Sequence, residues 1–385
     1  MSRLKKLLVG TAVALVLLVG VGLAMIHRSG AWFLLFPSHH HDTTPPELPA
    51  DFGAGKSLRV LVFSKTNSFR HEDGIAGARL ALDAIAERRG WALYHSENGA
   101  LFSAPGLANF DVVVFSNASG DMLSDEQERA FEAWLSAGGG WVGIHSAGDL
   151  SHAGWTWYRE NLIGGNFIGH IMGPQTQTAR VVVEDRAHPV TQGLPAEFEH
   201  EEEWYSWDQS PRTLGFHVLL TVDEASYDPS IRIFGSETDI RMGDHPVAWW
   251  RCIGPGRALY VTMGHWGRAY ENPPYATLLE NALAWAGDPR ACTPAAASSA
   301  GTDALAPAAR DSASSPTAPS ATTPPQAAGP AGEAAAASAA EERGRASDAA
   351  ETAVAPEASS AAAEAGAATA ADAATAAPAD GEDRR

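Results

Sequence analysis

The sequence predicts an α/β fold, a doubly wound, mostly parallel sheet flanked by helices, with an N-terminal transmembrane helix before it and a disordered C-terminal tail after it. Three observations predict it. Between residues 58 and 165, short apolar runs alternate with helix-patterned segments, as expected for parallel strands joined through helices. Residues 7–26 are an uncharged apolar run of the length a helix needs to cross a bilayer. From residue 288 the chain is mostly Ala, Pro, Ser, Thr and Glu, with too little apolar surface to offset the entropy of ordering. The expected divisions are an anchor over residues 1–30, a linker over 31–56, the α/β domain over 57–287 and the tail over 288–385.

Arg3, Lys5 and Lys6 precede the apolar run and only Arg28 follows closely. The positive-inside bias then puts the N-terminus in the cytoplasm and the domain outside it, in the periplasm or at the cell surface. Trp32 and Phe33 suit an outer aromatic belt. Gly22-Leu23-Ala24 has the small-residue spacing of a cleavage site, yet the run exceeds the roughly 7–15 residues of a signal-peptide core, which favours an uncleaved anchor.

The domain opens with Leu58–Phe63, an apolar run ending in a polar loop, the pattern of a first buried strand. Over Gly74–Arg89, Ile75, Leu80, Leu82 and Ile85 recur at near-helical spacing and Gly90 supplies a stop. Trp91–His95 and Asp111–Phe115 are the next strands. Ser124 with Gln127 makes a capping box, Phe131, Trp134 and Leu135 supply a buried stripe, and Gly138–Gly140 end that helix before the strand Trp141–His145. Shorter strands follow over Thr178–Glu184, His217–Val222, Pro246–Cys252 and Arg257–Met263, and a helix over Tyr275–Trp285 closes the domain.

Of the net charge of −19, the tail supplies −8 and the residues before Asp42 supply +4, which leaves about −15 on residues 42–287. So acidic a body repels phosphate backbones and an anionic bilayer face, which argues against nucleic acid and fits a neutral sugar or a neutral or cationic partner. Cys252 and Cys292 are too few for a disulfide framework; they form one bridge in an oxidising compartment or stay unpaired.

In open α/β sheets ligands bind beyond the carboxyl ends of the strands. Five histidines fall at strand ends or in the loops beside them: His71, His145, His170, His245 and His265. Imidazole suits a divalent metal, zinc first, with a carboxylate to complete the set; no compact motif such as HExxH occurs, so a shared pocket is expected from fold geometry alone. A hydrogen-bonded loop histidine is the alternative for each. Gly143-x-His145-x-Ala147 has the form of a nucleophile elbow with histidine at its centre, able to act as base or ligand but not as an acyl-forming thiolate. The run His200-Glu201-Glu202-Glu203-Trp204-Tyr205 sets carboxylates beside aromatics. His145, Glu203 and His265 are the candidate catalytic residues. Arg70, Trp204, Tyr205 and Trp266 are the candidate substrate contacts, the aromatics beside loops as surfaces for stacking on a sugar ring, while core packing is the expectation for Trp249 and Trp250 inside a strand.

From about Leu58 to Gly287 the ordered motifs resemble the ThuA-like (trehalose utilisation) family. The carrying segments are Phe69-Arg70-His71-Glu72, Gly139 to Ala147, Phe167-Ile168-Gly169-His170, His188-Pro189-Val190, Glu203-Trp204-Tyr205, Asp244 to Trp249, and Gly256-Arg257 to Gly264-His265. Departures are Glu202-Glu203 where the family's acidic pair reads Asp-Glu, and a missing proline after His170. The resemblance implies the fold of class I glutamine amidotransferases, which is flavodoxin-like, with histidine in place of their cysteine, so that glutamine hydrolysis is disfavoured. It also implies a link to sugar metabolism and a bound divalent metal. The expected function is a membrane-anchored domain that acts on carbohydrate; a non-catalytic sugar-binding or sensing module is the alternative.

Overall fold

The structure is a computed structural model and describes residues 2–292 apart from residues 29, 30, 37, 153 and 234. The tail expected to be disordered lies, from residue 293, outside the described residues. The N-terminal run forms a unit of its own, helix α1 (Arg3–Arg28). Among the described residues it is the one helix long and apolar enough to cross a membrane, a test that a signal sequence also passes.

The folded domain is built on a nine-stranded sheet. In chain order its strands are β1 (Arg59–Phe63), β2 (Ala92–Ser96), β3 (Val112–Ser116), β4 (Gly140–Ile144), β6 (Gln177–Val183), β7 (Glu197–Glu202), β9 (His217–Val222), β12 (Pro246–Ile253) and β13 (Gly256–Val261). Their spatial order is β2-β1-β3-β4-β13-β12-β9-β6-β7. The first five pair in parallel and the rest join antiparallel, giving a mixed, mostly parallel sheet. Two small antiparallel sheets are added, β5 (Phe167–His170) with β8 (Tyr205–Trp207), and β10 (Ser230–Ile233) with β11 (Ser236–Asp239).

The continuous apolar runs arise because the parallel strands are covered on both faces. Along β1, Val60 and Val62 enter one core and Leu61 and Phe63 the other, as the two-residue period of a strand requires. Helices α2 (Glu72–Arg89) and α6 (Pro273–Ala286) cover the first face through Ala78, Leu82, Ile85, Leu278 and Ala282. Helices α3 (Ala104–Leu107), α4 (Asp125–Ser136) and α5 (Thr156–Tyr158) lie on the second, where Leu107, Phe131, Leu135 and Tyr158 are buried. The Ser124/Gln127 capping box is formed, and Gly90 ends α2 at φ 67°, a left-handed conformation that glycine adopts without a Cβ clash. Cys252 and Cys292 are bridged with their Cα atoms 5.6 Å apart, so the described chain is tied to β12 beyond the expected end at residue 287.

Candidate functional site

Four of the expected residues converge. One ligating atom from each of His71, His145, Glu203 and His265 lies within 4.8 Å of the others, and all four side chains are buried. The histidines follow strands of the parallel half: His71 caps α2 in the loop after β1, His145 comes directly after β4, and His265 lies in the loop after β13. Glu203 arrives from the antiparallel half, in the two-residue link between β7 and β8.

The elbow is built. His145 sits at φ 51°, a left-handed conformation that costs a non-glycine residue about 1–2 kcal/mol. Surrounding bonds hold it there: the Tyr260 hydroxyl donates to the His145 carbonyl at 2.5 Å and the Tyr158 hydroxyl to the Ala147 carbonyl at 2.6 Å. The backbone must be bare for this approach, since a Cβ on Gly148 would lie 2.3 Å from the Tyr260 ring. His145 Nδ1 donates to the Thr262 carbonyl at 2.7 Å, which leaves Nε2 as the ring's lone pair. That atom faces the Tyr205 hydroxyl at 3.0 Å, His265 Nδ1 at 3.1 Å and Glu203 Oε2 at 3.4 Å.

Glu203 bridges the inner group and the rim. Oε1 accepts from Gln175 Nε2 at 2.8 Å and lies 3.1 Å from His170 Nδ1; Oε2 lies 3.1 Å from His265 Nδ1. Burial pushes its carboxyl up, but His170, His265 and His145 outweigh that and hold it well below the usual carboxylate range. His71 is driven well below the ordinary histidine range by burial first, then by His145 and His265. It is a neutral imidazole and therefore a usable ligand. Behind the cluster, buried Glu202 accepts from the backbone N–H of Gly264 at 2.6 Å, Glu203 at 2.9 Å and His265 at 3.1 Å, fixing two of the four residues through their main chain.

The remaining expected residues are placed differently. His170 stands at the rim, with Nδ1 between Glu203 and the Ile171 carbonyl at 2.9 Å. His245 is outside the group, with Nδ1 2.8 Å from Glu224 Oε1 and Nε2 donating to the Tyr205 carbonyl at 2.7 Å. Trp204 is fully buried and donates to the Gln177 carbonyl at 2.8 Å, so no sugar reaches its face. Tyr205 is buried and reaches the site through its hydroxyl. Arg70 is paired with Glu72 and Glu97, and Trp266 is half-buried with its ring 4.7 Å from that of His265. Sequence reasoning missed Asn117, at φ 52° after β3, whose amide donates to the Gly264 carbonyl at 3.3 Å. Its signal was an asparagine, which tolerates the left-handed region, at a strand end.

The residues fit a cation. His71 Nδ1 and Glu203 Oε2 are buried without an aligned hydrogen bond, and three imidazoles with one carboxylate are a donor set suited to a divalent transition metal. Fold and site thus define an α/β domain with a buried three-histidine, one-glutamate cluster at the carboxyl ends of its parallel strands. The chain belongs to the ThuA family, described as trehalose utilisation, whose model matches residues 59–286. It is similar to the crystal structure of a ThuA-like protein from Bacteroides uniformis, at 27% identity and a TM-score of 0.53 over 62% of this chain and 95% of that one. A ThuA-like protein from Parabacteroides merdae is similar at 19% identity and a TM-score of 0.45, over 60% and 90% of the two chains. A cytoplasmic protein from Salmonella typhimurium shares 13% identity at a TM-score of 0.42, over 60% and 99%. No curated protein matches the chain.

Proposed function

We propose that the domain holds a divalent cation on His71, His145, Glu203 and His265 and acts as an enzyme on a carbohydrate or an oxidised sugar derivative. The observation that carries this reading is the convergence of four buried donors, two of which carry an atom with no aligned hydrogen bond. A bound cation supplies Lewis acidity to a sugar oxygen or to water. The chain supplies the rest. His145 keeps its proton on Nδ1 against Thr262, and Glu203 stays ionised. Burial, then the charge of Glu203, pushes the Tyr205 hydroxyl well above its ordinary range, so it remains a donor. With His145, Glu203 and His265 in the ligand set, proton transfer falls to His170, whose Nδ1 lies between Glu203 and the Ile171 carbonyl. His245 orients Tyr205 and is left out of the set.

We place the domain outside the cytoplasm on an uncleaved α1, a reading that the Cys252–Cys292 bridge supports because disulfides persist in oxidising compartments. The strand order β2-β1-β3-β4-β13 supports the flavodoxin-like arrangement of class I glutamine amidotransferases.

Metal analysis of the purified chain tests the ligand set: stoichiometric metal is expected, lost in His71→Ala, His145→Ala and His265→Ala and retained in His170→Ala and His245→Ala. A folded chain with no stoichiometric metal overturns it. A screen of sugars and ketosugars tests catalysis, since an enzyme converts its ligand and a binding module returns it unchanged.

A further inference from the structure

The segment that sequence divided off as a linker is hydrogen-bonded into the loop that carries His71. Lys65, in that loop, is 6% exposed, and its ammonium lies 2.5 Å from Asp42 Oδ2. The same carboxylate oxygen accepts from Gly99 N at 2.9 Å, and the Asp42 carbonyl accepts from Gln127 Nε2 at 2.7 Å. Two residues after Lys65, Asn67 donates from Nδ2 to the His40 carbonyl at 3.1 Å and to the Asp121 carbonyl. His39 and His41 straddle the Asp121 carboxylate at 2.8 and 3.0 Å, and the Thr44 carbonyl accepts from Asn98 at 3.0 Å.

We propose that residues 39–44 are a strap that positions His71 in the cluster, with Asp42 as its positioning residue; this rests on the cluster being a cation site. A buried ammonium must be paired, and among the described residues Asp42 is the one carboxylate bridged to Lys65. Without it Lys65 turns toward water and draws the loop with it. The loop leads straight to the site: Lys65 and Asn67 exchange backbone bonds with Ser119, whose hydroxyl donates to the Phe69 carbonyl at 2.7 Å, and the Phe69 ring packs edge-on against His71 at 4.8 Å. Loosening the strap frees His71, whereas His145, Glu203 and His265 are held by Thr262 and Glu202.

The test uses the full chain in detergent micelles. Zinc affinity is read by competition with a chromogenic chelator, and amide exchange is followed over residues 39–44 and 64–71. Asp42→Ala is expected to weaken zinc at least tenfold and to speed exchange over 64–71 at least tenfold in the metal-free protein, with β13 unchanged. By reciprocity, zinc slows exchange of residues 39–44 in the wild type, which a merely structural contact would not do. Asp42→Asn, which keeps shape and loses charge, shifts both readouts in the same direction and serves if Asp42→Ala does not fold. Zinc affinity within twofold of wild type together with unchanged exchange over 64–71 overturns the proposal. Exchange in the metal-free chain decides the strap even if the wild type takes up no zinc, so the two readings fail separately.

Discussion

Replacing Glu202 by glutamine tests whether the site is held from behind. The carboxylate accepts three backbone N–H groups, and each bond to a charged acceptor contributes about 1.5–3 kcal/mol. Glutamine keeps the volume and one oxygen. That oxygen can serve Glu203 and His265, but the amide nitrogen then faces the Gly264 N–H, and a buried donor left unpaired costs about 1–3 kcal/mol. Flipping the amide strands two donors instead, those of Glu203 and His265. The expected loss is therefore about 2–4 kcal/mol in urea unfolding, or roughly 5–15 °C in Tm for a domain of this size. Because Glu203 and His265 share this support, metal affinity should fall about 10–100-fold. Glu201→Gln, one residue away but partly exposed and paired with Arg268, should change stability by at most about 1 kcal/mol. A Glu202→Gln chain that melts within about 2 °C of wild type and binds metal equally well would refute the reasoning.

Cys252→Ser opens a bridge across a separation of 40 residues, and loop entropy sets the loss near 4 kcal/mol; thermal melts with and without reductant check it, and equal melts sink it. A methyl in Gly148→Ala would meet the Tyr260 ring at 2.3 Å and displace its hydroxyl from the His145 carbonyl. The expected cost is about 1–3 kcal/mol with weaker metal retention, and unchanged retention argues against the elbow clamp. Burial, with Asp125, Asp121 and Glu132, pushes Glu128 up to about 7. A carboxyl raised above its unfolded value of 4.5 keeps its proton in the fold, so stability falls as pH rises from 4.5 to about 7 and is level above that. Glu128→Gln should then gain about 1 kcal/mol at pH 8, discounted for partial exposure, and nothing at pH 4. Urea titrations at the two pH values decide it, a pH-independent difference being the contrary result.

The parallel half was legible because its strands are buried on both faces and its helices carry caps that act locally, as at Ser124 and Gly90. In the antiparallel half β6, β9 and β12 were legible as short apolar runs, and β7 was not. In β7 the inward residues are Phe198, His200 and Glu202, so the two-residue alternation exists but two of its three buried positions are polar. The run reads as an acidic surface when burial is paid for by tertiary partners such as Gly264 and Asn272. The histidines show the same limit. Placement at a strand end or in the adjoining loop picked out His71, His145 and His265 together with His170 and His245, and pattern could not separate them. What separates them is tertiary: Glu224 and the Tyr205 carbonyl occupy both nitrogens of His245. Trp204 likewise gave no sign that Gln177 would take its N–H and the core its face.

The geometry at the centre of the elbow supports the proposed ligand role of His145 over that of a base. An elbow holds its middle residue rigidly, at the cost of a left-handed backbone, and such strain persists where surrounding structure over-determines it. A general base in that place needs a lone pair that reaches substrate. His145 has one lone pair, because Thr262 takes the proton on Nδ1, and that lone pair is aimed inward at His265, Glu203 and the Tyr205 hydroxyl. The side chain is fully buried. Rigidity, inward aim and a second bond that fixes the tautomer are what a ligand requires, whereas the half-open His170 has the access a base requires. On the proposed reading, the same backbone device that would present a thiolate for attack presents an imidazole for coordination, and Glu203, touching both His145 and His170, couples the two proposed roles.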